Sequence, residues 1–332
     1  MSSSTALETF LKPLNQIFSE EGVSEISINQ PRELWIEKFG EMRHEKVEMF
    51  DFDHLKSLVK LIAQSTDQVV SEERPLLSAT LPNGFRVQCV IPPAIESGKV
   101  GISIRKGSTL NLDLDGYEEM GAFDSTSVEE VEDKDRRILL KYLEENKIKD
   151  FLKHAIISKK NIIISGGTST GKTTFTNAAL RAIPNDERII TVEDAREVIL
   201  HQQNRLHLLA SKGGQGRAKV TTQDLIEACL RLRPDRIIVG ELRGAEAFSF
   251  LRAINTGHPG SISTLHADTP KMALEQLKLM VMQAGLGMPP NEIRQYILNV
   301  VDIVVQLKRA PHGGKRYISE VYYKGRQDHI DE

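Results

Sequence analysis

The 332-residue sequence predicts a two-domain α/β protein, in which a smaller α+β domain precedes a larger domain with a mainly parallel sheet. Three observations lead to this prediction. Short segments in the first third alternate apolar and polar residues, as strands with one buried face do. From about Arg136 onward, strand and helix patterns follow each other in turn. A glycine-rich stretch at 166–174 lies between a β-branched segment and a helical one. We expect an N-terminal domain at 1–106, a linker at 107–135 and a C-terminal domain at 136–332.

The first 106 residues have the pattern of a small α+β domain. The segment DHLKSLVKLIAQ places apolar residues at helical spacing, and ISINQPRELWIE has the pattern of strand, turn and strand. Two later segments, FRVQCVI and VGISIRK, alternate as strands. Because side chains alternate across a strand, Arg86 and Arg105 are predicted to point away from the apolar face.

Residues 107–135 differ in composition from the parts that flank them. The segment STLNLDLDGYEEMGAFDSTSVEEVEDKD is acidic, interrupted by glycine and weakly periodic, which is typical of a linker with short structure. At the other end of the chain, DIVVQLKRAPHGGKRYISEVYY predicts two strands joined by a turn. An antiparallel hairpin therefore closes the second domain.

Composition excludes several classes of protein. The formal net charge of −3 argues against a protein whose main task is to grip nucleic acid. The two cysteines, Cys89 and Cys229, form no CxxC pair, so neither a disulfide framework nor a zinc site is expected. The start MSSSTALETFLKPL lacks the pattern of a signal peptide, and no window approaches the roughly 18 apolar residues of a membrane span. These features predict a protein of the reducing cytoplasm.

The glycine-rich stretch fits G-x-x-x-x-G-K-[ST] at every fixed position, with a strand before it and a helix after it. Such a loop binds phosphate through backbone N–H groups and the positive end of the helix. Lys172 is expected to reach the β- and γ-phosphates, and the Thr173 hydroxyl to coordinate Mg²⁺. The predicted nucleotide-binding residues are Gly166, Gly167, Thr168, Ser169, Thr170, Gly171, Lys172, Thr173 and Thr174.

Three further strand patterns each end on a residue that can take part in catalysis. RIITVED ends at Glu193 and Asp194, DRIIVGE ends at Glu241, and SISTLHA leads to His266. In an open parallel sheet, ligands bind beyond the carboxyl ends of the strands, so these side chains are predicted to lie beside the nucleotide.

Two carboxylates near one γ-phosphate indicate hydrolysis. Glu241 is predicted to hold the Mg²⁺ shell and Glu193 to orient water, but the residues do not settle which of them is the base. His266 is predicted to contact the γ-phosphate and report its presence. The expected cofactors are therefore ATP and Mg²⁺.

Taken together, these motifs resemble the traffic ATPases of bacterial type IV secretion systems, in the superfamily that includes pilus-retraction and type II secretion ATPases. The match is carried by NIIISGGTSTGKTT, TVEDAREV, LRLRPDRIIVGELRGAEAFSFLRAINTGHPGSISTLHAD, SEISINQPRELWIE, GFRVQCVIPPA and GISIRK. The short length and the lack of a tetra-cysteine motif separate the chain from type II secretion ATPases. The loop LLASKGGQGRAKVT, residues 208–221, is given no role.

The resemblance implies a homo-hexameric ring with a RecA-like C-terminal domain and nucleotide between the two domains. It also implies that Arg86 and Arg105 reach the phosphates from the N-terminal domain, with Arg243 as a third candidate. The implied partners are inner-membrane secretion channel components, with a secreted protein or DNA handled indirectly. The implied location is the cytoplasmic face of the bacterial inner membrane.

The main alternative is a RecA-like nucleic-acid motor or a conjugative DNA-transfer ATPase. It would share the phosphate loop and the acid at Glu241. The sequence shows no basic–aromatic interleaving, and only 5% of its residues are aromatic, so strong direct nucleic-acid binding is not expected. A small-molecule kinase or a GTPase switch would not explain Glu193, and no N-K-x-D motif is present.

Overall fold

Two β-sheets organise the part of the chain that the computed structural model describes, which is 3–107, 113–126, 133–211, 218–312 and 314–326. The first sheet has six strands and the second has seven. The first sheet is antiparallel throughout, whereas the second is parallel except at one edge. The predicted class, a smaller α+β domain followed by a larger α/β domain, is confirmed.

The first domain packs two helices on one face of its sheet, whose strand order is β3-β2-β1-β6-β5-β4. The Asp51 side chain caps the second helix by accepting a hydrogen bond from the His54 amide, 2.8 Å away, and its apolar stripe is buried. The elements are α1 (Ser3–Phe18), β1 (Val23–Ile28), β2 (Glu33–Lys38), β3 (Glu41–Lys46), α2 (Phe52–Ser65), β4 (Leu76–Thr80), β5 (Arg86–Val90) and β6 (Gly101–Arg105).

The predicted linker contains one short helix in its described part, α3 (Leu114–Glu119). Residues 108–112 and 127–132 lie outside the described residues. The division of the chain at 106 and 136 stays a prediction.

The second domain is a sheet covered by helices on both faces, with strand order β13-β12-β7-β11-β10-β8-β9. Buried β-branched and leucine side chains fill its strands, as expected of a parallel sheet. The predicted hairpin is present as β12 and β13. The elements are α4 (Lys134–Glu144), α5 (Ile148–Ile157), β7 (Ile162–Gly166), α6 (Lys172–Leu180), β8 (Ile189–Glu193), β9 (Arg205–Leu209), α7 (Thr222–Leu232), β10 (Arg236–Val239), α8 (Glu246–Asn255), β11 (Ile262–Leu265), α9 (Pro270–Met282), α10 (Pro290–Val300), β12 (Ile303–Arg309) and β13 (Arg316–Tyr323).

The two domains share a packed boundary. The open face of the first sheet lies against α7, and the segment after β5 runs along β9. There the Leu209 amide donates to the Ala94 carbonyl at 2.9 Å. A second, polar contact centres on Arg188, which is fully buried and donates through Nη1 to the Oδ1 atoms of Asn29, at 2.7 Å, and Asn204, at 2.5 Å.

No helix among the described residues has the length and apolar character needed to span a membrane.

Candidate nucleotide-binding and catalytic site

The carboxyl ends of β7, β8, β10 and β11 meet at one edge of the second sheet, where they line a cavity of ≈ 440 Å³. The predicted strand-end residues Glu193, Asp194, Glu241 and His266 all line it, as does the phosphate loop from Thr168 to Thr174. Within one chain, the structure therefore brings these predicted residues together at one edge of the sheet.

The phosphate loop has the backbone of an anion-binding nest. Ser169 and Gly171 both have positive φ, 60° and 89°, which turns successive N–H groups toward one concavity. Gly166 is required for a different reason, since a Cβ there would lie 2.5 Å from Thr170 Oγ1 and 2.9 Å from the Leu307 carbonyl oxygen. The loop then enters α6 directly at Lys172, so the helix N-terminus faces the cavity.

Lys172 is folded back onto the loop that carries it. Its Nζ donates to the carbonyl oxygens of Gly166 at 2.9 Å and Gly167 at 3.3 Å, and it lies 3.3 Å from His266 Nδ1. Burial lowers the pKa of Lys172, and the charge of Glu241 opposes that shift. The ammonium group is therefore already partly desolvated at the place where a phosphate would meet it.

Glu241 is the central acid of the cavity. Its Oε1 is buried and lies 2.8 Å from His266 Nε2, which is not aligned to donate a hydrogen bond. Its Oε2 accepts from Arg243, which also bridges to Asp194. Arg243 thus fixes one carboxylate oxygen, while the other lies buried against the His266 ring and accepts no hydrogen bond from a described residue.

Glu193 is held differently, because both its oxygens are saturated by its own loop. Oε1 accepts from the amides of Glu197 at 2.8 Å and Val198 at 2.7 Å. Oε2 accepts from the Thr191 hydroxyl at 3.0 Å and from Arg196 Nη1 at 3.2 Å. Its side chain is only 2% exposed. In this arrangement Glu193 organises the loop at 194–198, and no lone pair is directed at water in the cavity.

A buried histidine extends this network. His207 Nδ1 lies 2.8 Å from the Thr191 hydroxyl, and because that hydroxyl donates to Glu193, the ring must carry its proton on Nδ1. Burial, reinforced by the nearby charge of Arg196, lowers the pKa of His207 to about 3, so the ring is neutral at physiological pH.

Three residues that line or support the cavity were missed by the sequence reasoning. They are Glu197, Arg196 and Arg316. Glu197 Oε2 accepts a hydrogen bond from the Thr173 hydroxyl at 3.2 Å. Arg196 joins Glu193 to Glu96 of the first domain, whose Oε1 lies 3.0 Å from Arg196 Nε. Arg196 and Glu197 lie in the segment TVEDAREV, so their closeness to Glu193 in the sequence could have indicated a place near the cavity. Arg316, at the start of β13, lines the cavity from the other side of the loop, and nothing in its local sequence indicated this.

Arg86 and Arg105 do not line this cavity. They are paired across β5 and β6 and line a separate cavity with Arg231, Arg233 and residues 256–258. That cavity lies near the amino ends of β10 and β11, the edge of the sheet opposite the phosphate loop. Within one chain the structure therefore separates the predicted arginines from the predicted phosphate site.

Comparisons with known proteins identify the family to which this chain is similar. The family described as Type II/IV secretion system protein matches residues 9–325. The Type IV secretion system protein VirB11 of Bartonella quintana (strain Toulouse) is 38% identical over 329 residues, covering 95% of this chain and 92% of that protein. The Type IV secretion system protein PtlH homolog of Bordetella bronchiseptica is 37% identical over 324 residues, covering 96% and 95%. The crystal structure of the VirB11 ATPase from the Brucella suis type IV secretion system, in complex with sulphate, superposes with a TM-score of 0.92 at 35% identity, covering 97% of this chain and 95% of that one.

Proposed function

Because this chain belongs to the Type II/IV secretion system protein family, we propose that it works as a ring-forming motor whose Mg²⁺-dependent hydrolysis of ATP powers type IV secretion. ATP hydrolysis and a role in type IV secretion follow from its relatives over nearly their whole length. The observation that carries the detailed proposal is the convergence of Lys172, Thr173, Glu241 and His266 on one cavity.

The residues present fit a nucleoside triphosphate with its metal. The nest at Ser169 and Gly171 would bind the phosphates through backbone amides, and Lys172 would turn from its carbonyl partners to the β- and γ-phosphates. The Thr173 hydroxyl donates its only proton to Glu197, which leaves its lone pairs free for Mg²⁺. When bound, the ion would neutralise phosphate charge that develops during hydrolysis.

The hydrogen bonds of the Glu241 and Glu193 carboxylates indicate different roles for the two residues. We assign Glu241 to the attacking water, because the residue lines the cavity beside the phosphate loop and its Oε1, covered by the His266 ring 2.8 Å away, accepts no hydrogen bond from a described residue. Arg243 fixes the other oxygen and so sets the orientation of the carboxylate. Glu193 would act through the loop at 194–198 rather than on water. His266, between Lys172 and Glu241, is placed to contact the γ-phosphate.

These roles predict different losses in two variants. Lys172→Ala should abolish nucleotide binding, whereas Glu241→Gln should keep ATP binding and slow turnover by roughly 10²–10⁴-fold. The measurement is steady-state ATPase activity with a parallel binding titration. Turnover at the wild-type rate in Glu241→Gln would overturn the assignment.

We further propose that Arg86 and Arg105 act on nucleotide bound by a neighbouring subunit. In one chain β10 separates their cavity from the phosphate loop by about 13 Å of strand. Both arginines are exposed. A neighbour in a closed ring presents its carboxyl edge to such a surface without any change within the chain. Arginines that engage a transferring phosphoryl group in trans are worth roughly 10³–10⁵ in rate.

A complementation experiment separates action in trans from action in cis. Lys172→Ala should be co-expressed with the double variant Arg86→Ala/Arg105→Ala. In random rings about a quarter of the sites would combine an intact phosphate loop with arginines from a neighbour, whatever the ring size. Activity near a quarter of wild type is expected, against almost none for either variant alone. The matched control is Lys172→Ala co-expressed with Glu241→Gln. Both residues belong to the same subunit's site, so every site in the mixed rings carries one of the two defects and no activity should be regained. No recovery in the first mixture would show that the arginines do not act in trans.

The relatives' names place them in type IV secretion systems. We propose that this chain forms a homo-hexamer that docks on inner-membrane channel components at the cytoplasmic face and drives transfer of a protein or DNA substrate indirectly. Light scattering with and without a non-hydrolysable ATP analogue tests the ring. A monomer at every concentration in both conditions would exclude it.

A further inference from the structure

The two sides of the phosphate loop differ in chemistry. β11, β10 and β8 lie on one side of β7 and carry His266, Glu241 and Glu193, whereas β12 and β13 lie on the other side. From that second side Arg316 lines the cavity. Its side chain makes no hydrogen bond or ion pair with another described residue, so its guanidinium has no counter-ion in the part of the chain that the structure describes.

The position of Arg316 is fixed by the hairpin and by the loop. Its register partner is Arg309, and β12 itself pairs with β7 so that Leu307 lies opposite Gly166. The Arg316 stem lies over the last turn of the loop, because a Cβ on Gly171 would be 2.8 Å from Arg316 Cδ. The charged end is exposed to solvent.

The orientation of a bound nucleotide follows from the acids. Lys172 contacts β- and γ-phosphates in loops of this kind, and Glu241 with His266 marks the side of the γ-phosphate. The nucleoside must then leave the loop on the opposite side, past Gly171 and the start of α6. Arg316 lies on that side.

Few other side chains that line the cavity could contact the base of a nucleotide. No Phe, Tyr or Trp is among the described residues that line it, and His266 lies on the γ-phosphate side. A guanidinium is planar, weakly hydrated and able to stack on an aromatic face, which a lysine ammonium does much less well.

We propose that Arg316 binds the base of the nucleotide by stacking its guanidinium on the purine ring. The inference rests on the proposed ATP site and adds to it a residue that selects for the nucleoside rather than the phosphate chain. It makes Arg316 a contributor to nucleotide affinity and leaves the water-activating residues unaffected.

The test compares a probe that has a base with one that lacks it. Binding of ADP and of inorganic tripolyphosphate to the full chain is measured by calorimetry for wild type, Arg316→Ala, Arg316→Lys and Arg309→Ala. Arg309 is the matched control, because its guanidinium packs at the Gly314 turn and does not line the cavity. Arg316→Ala should weaken ADP binding roughly 3- to 30-fold and leave tripolyphosphate binding within about twofold. Arg316→Lys should show most of the same loss of ADP affinity. In both variants KM for ATP should rise while kcat stays nearly unchanged.

Each other result has a definite meaning. Equal weakening of ADP and tripolyphosphate would show a phosphate contact and overturn the base contact. Wild-type ADP affinity in Arg316→Ala, or the same loss in Arg309→Ala, would overturn it as well. If the wild-type protein and Arg316→Ala both failed to bind ADP and ATP, the proposed function itself would be wrong. Thermal unfolding of each variant identifies misfolding, and Arg316→Lys then provides the measurement in a folded protein.

Discussion

Replacing Glu96 by glutamine should weaken the contact between the two domains in a way that depends on pH. Glu96 lies in the segment after β5 and accepts from Arg196 Nε at 3.0 Å and Lys99 Nζ at 2.5 Å. Arg196 belongs to the second domain and also donates to Glu193. The substitution keeps the size of the side chain and removes the charge that joins the domains.

The size of the effect can be worked out from the pKa of Glu96. Burial alone would raise this pKa, but the hydrogen bonds from Lys99 and Arg196 lower it from 4.5 to about 2. A tenfold change in acid dissociation is worth about 1.4 kcal/mol, so the ionised carboxylate contributes at most about 3 kcal/mol to the free energy of unfolding. The side chains of Glu96 and Arg196 are 26% and 31% exposed, and solvent screening reduces the expected value to about 1–2 kcal/mol.

The lowered pKa of Glu96 determines in which direction the free energy of unfolding changes with pH. A carboxylate whose pKa is lowered by folding stabilises the protein above its unfolded pKa, and that stability is lost as pH falls toward the folded value. In urea unfolding, Glu96→Gln should be less stable than wild type at pH 7, and roughly 60–80% of the difference should be lost by pH 3.5. Glu41→Gln, on an exposed position of β3, is the control and should match wild type throughout. A Glu96→Gln protein as stable as wild type at pH 7, or a difference that persists undiminished to pH 3.5, would refute the reasoning.

Three further outcomes are expected. Thr173→Val should raise the Mg²⁺ concentration needed for half-maximal ATPase activity by roughly tenfold while ADP binding without metal is kept, and an unchanged Mg²⁺ requirement would remove Thr173 from the metal site. Gly171→Ala should weaken ATP binding at least about tenfold, because φ is 89° and the new Cβ would meet Arg316 Cδ; wild-type affinity would contradict this. Asn204→Ala should cost about 1.5–3 kcal/mol in urea unfolding by removing one acceptor of the buried Arg188 guanidinium, and Arg188→Met should cost less; the reverse order would contradict this.

The centre of the site was predictable because each part of it is local. The phosphate loop is one motif, and Glu193, Glu241 and His266 each follow an apolar strand pattern. The rule that parallel strands present ligands at their carboxyl ends was then enough to bring them to one edge. The same local logic predicted the faces of β5 and β6, where Arg86 and Arg105 lie side by side and exposed.

The features of the site that the sequence did not predict depend on how segments distant in the chain pack together. Alternation along a strand gives the face of Arg86 but not the element that the face meets, which here is α7 and not the phosphate loop. The saturation of Glu193 depends on the amides of Glu197 and Val198, which no periodicity reveals. Arg316 reaches the loop through the pairing of β13 with β12 and of β12 with β7, and this pairing joins residues about 150 positions apart.

One path of contacts connects the first domain to Thr173, the residue that we propose as a metal ligand, and this path constrains how hydrolysis can be coupled to movement. Glu96 accepts a hydrogen bond from Arg196, which also donates to Glu193. Glu193 accepts from the amide of Glu197, and the Glu197 carboxylate accepts from the Thr173 hydroxyl. Because every link is a directional hydrogen bond, we expect a displacement of Thr173 on nucleotide binding to shift the loop at 194–198 and to strain the hydrogen bond between Arg196 and Glu96. The domains can move apart at this point only when that contact breaks. Glu96→Gln should therefore uncouple domain movement from nucleotide state while the phosphate loop still binds ATP, and small-angle scattering with and without a non-hydrolysable analogue would show this as a profile that no longer responds to nucleotide.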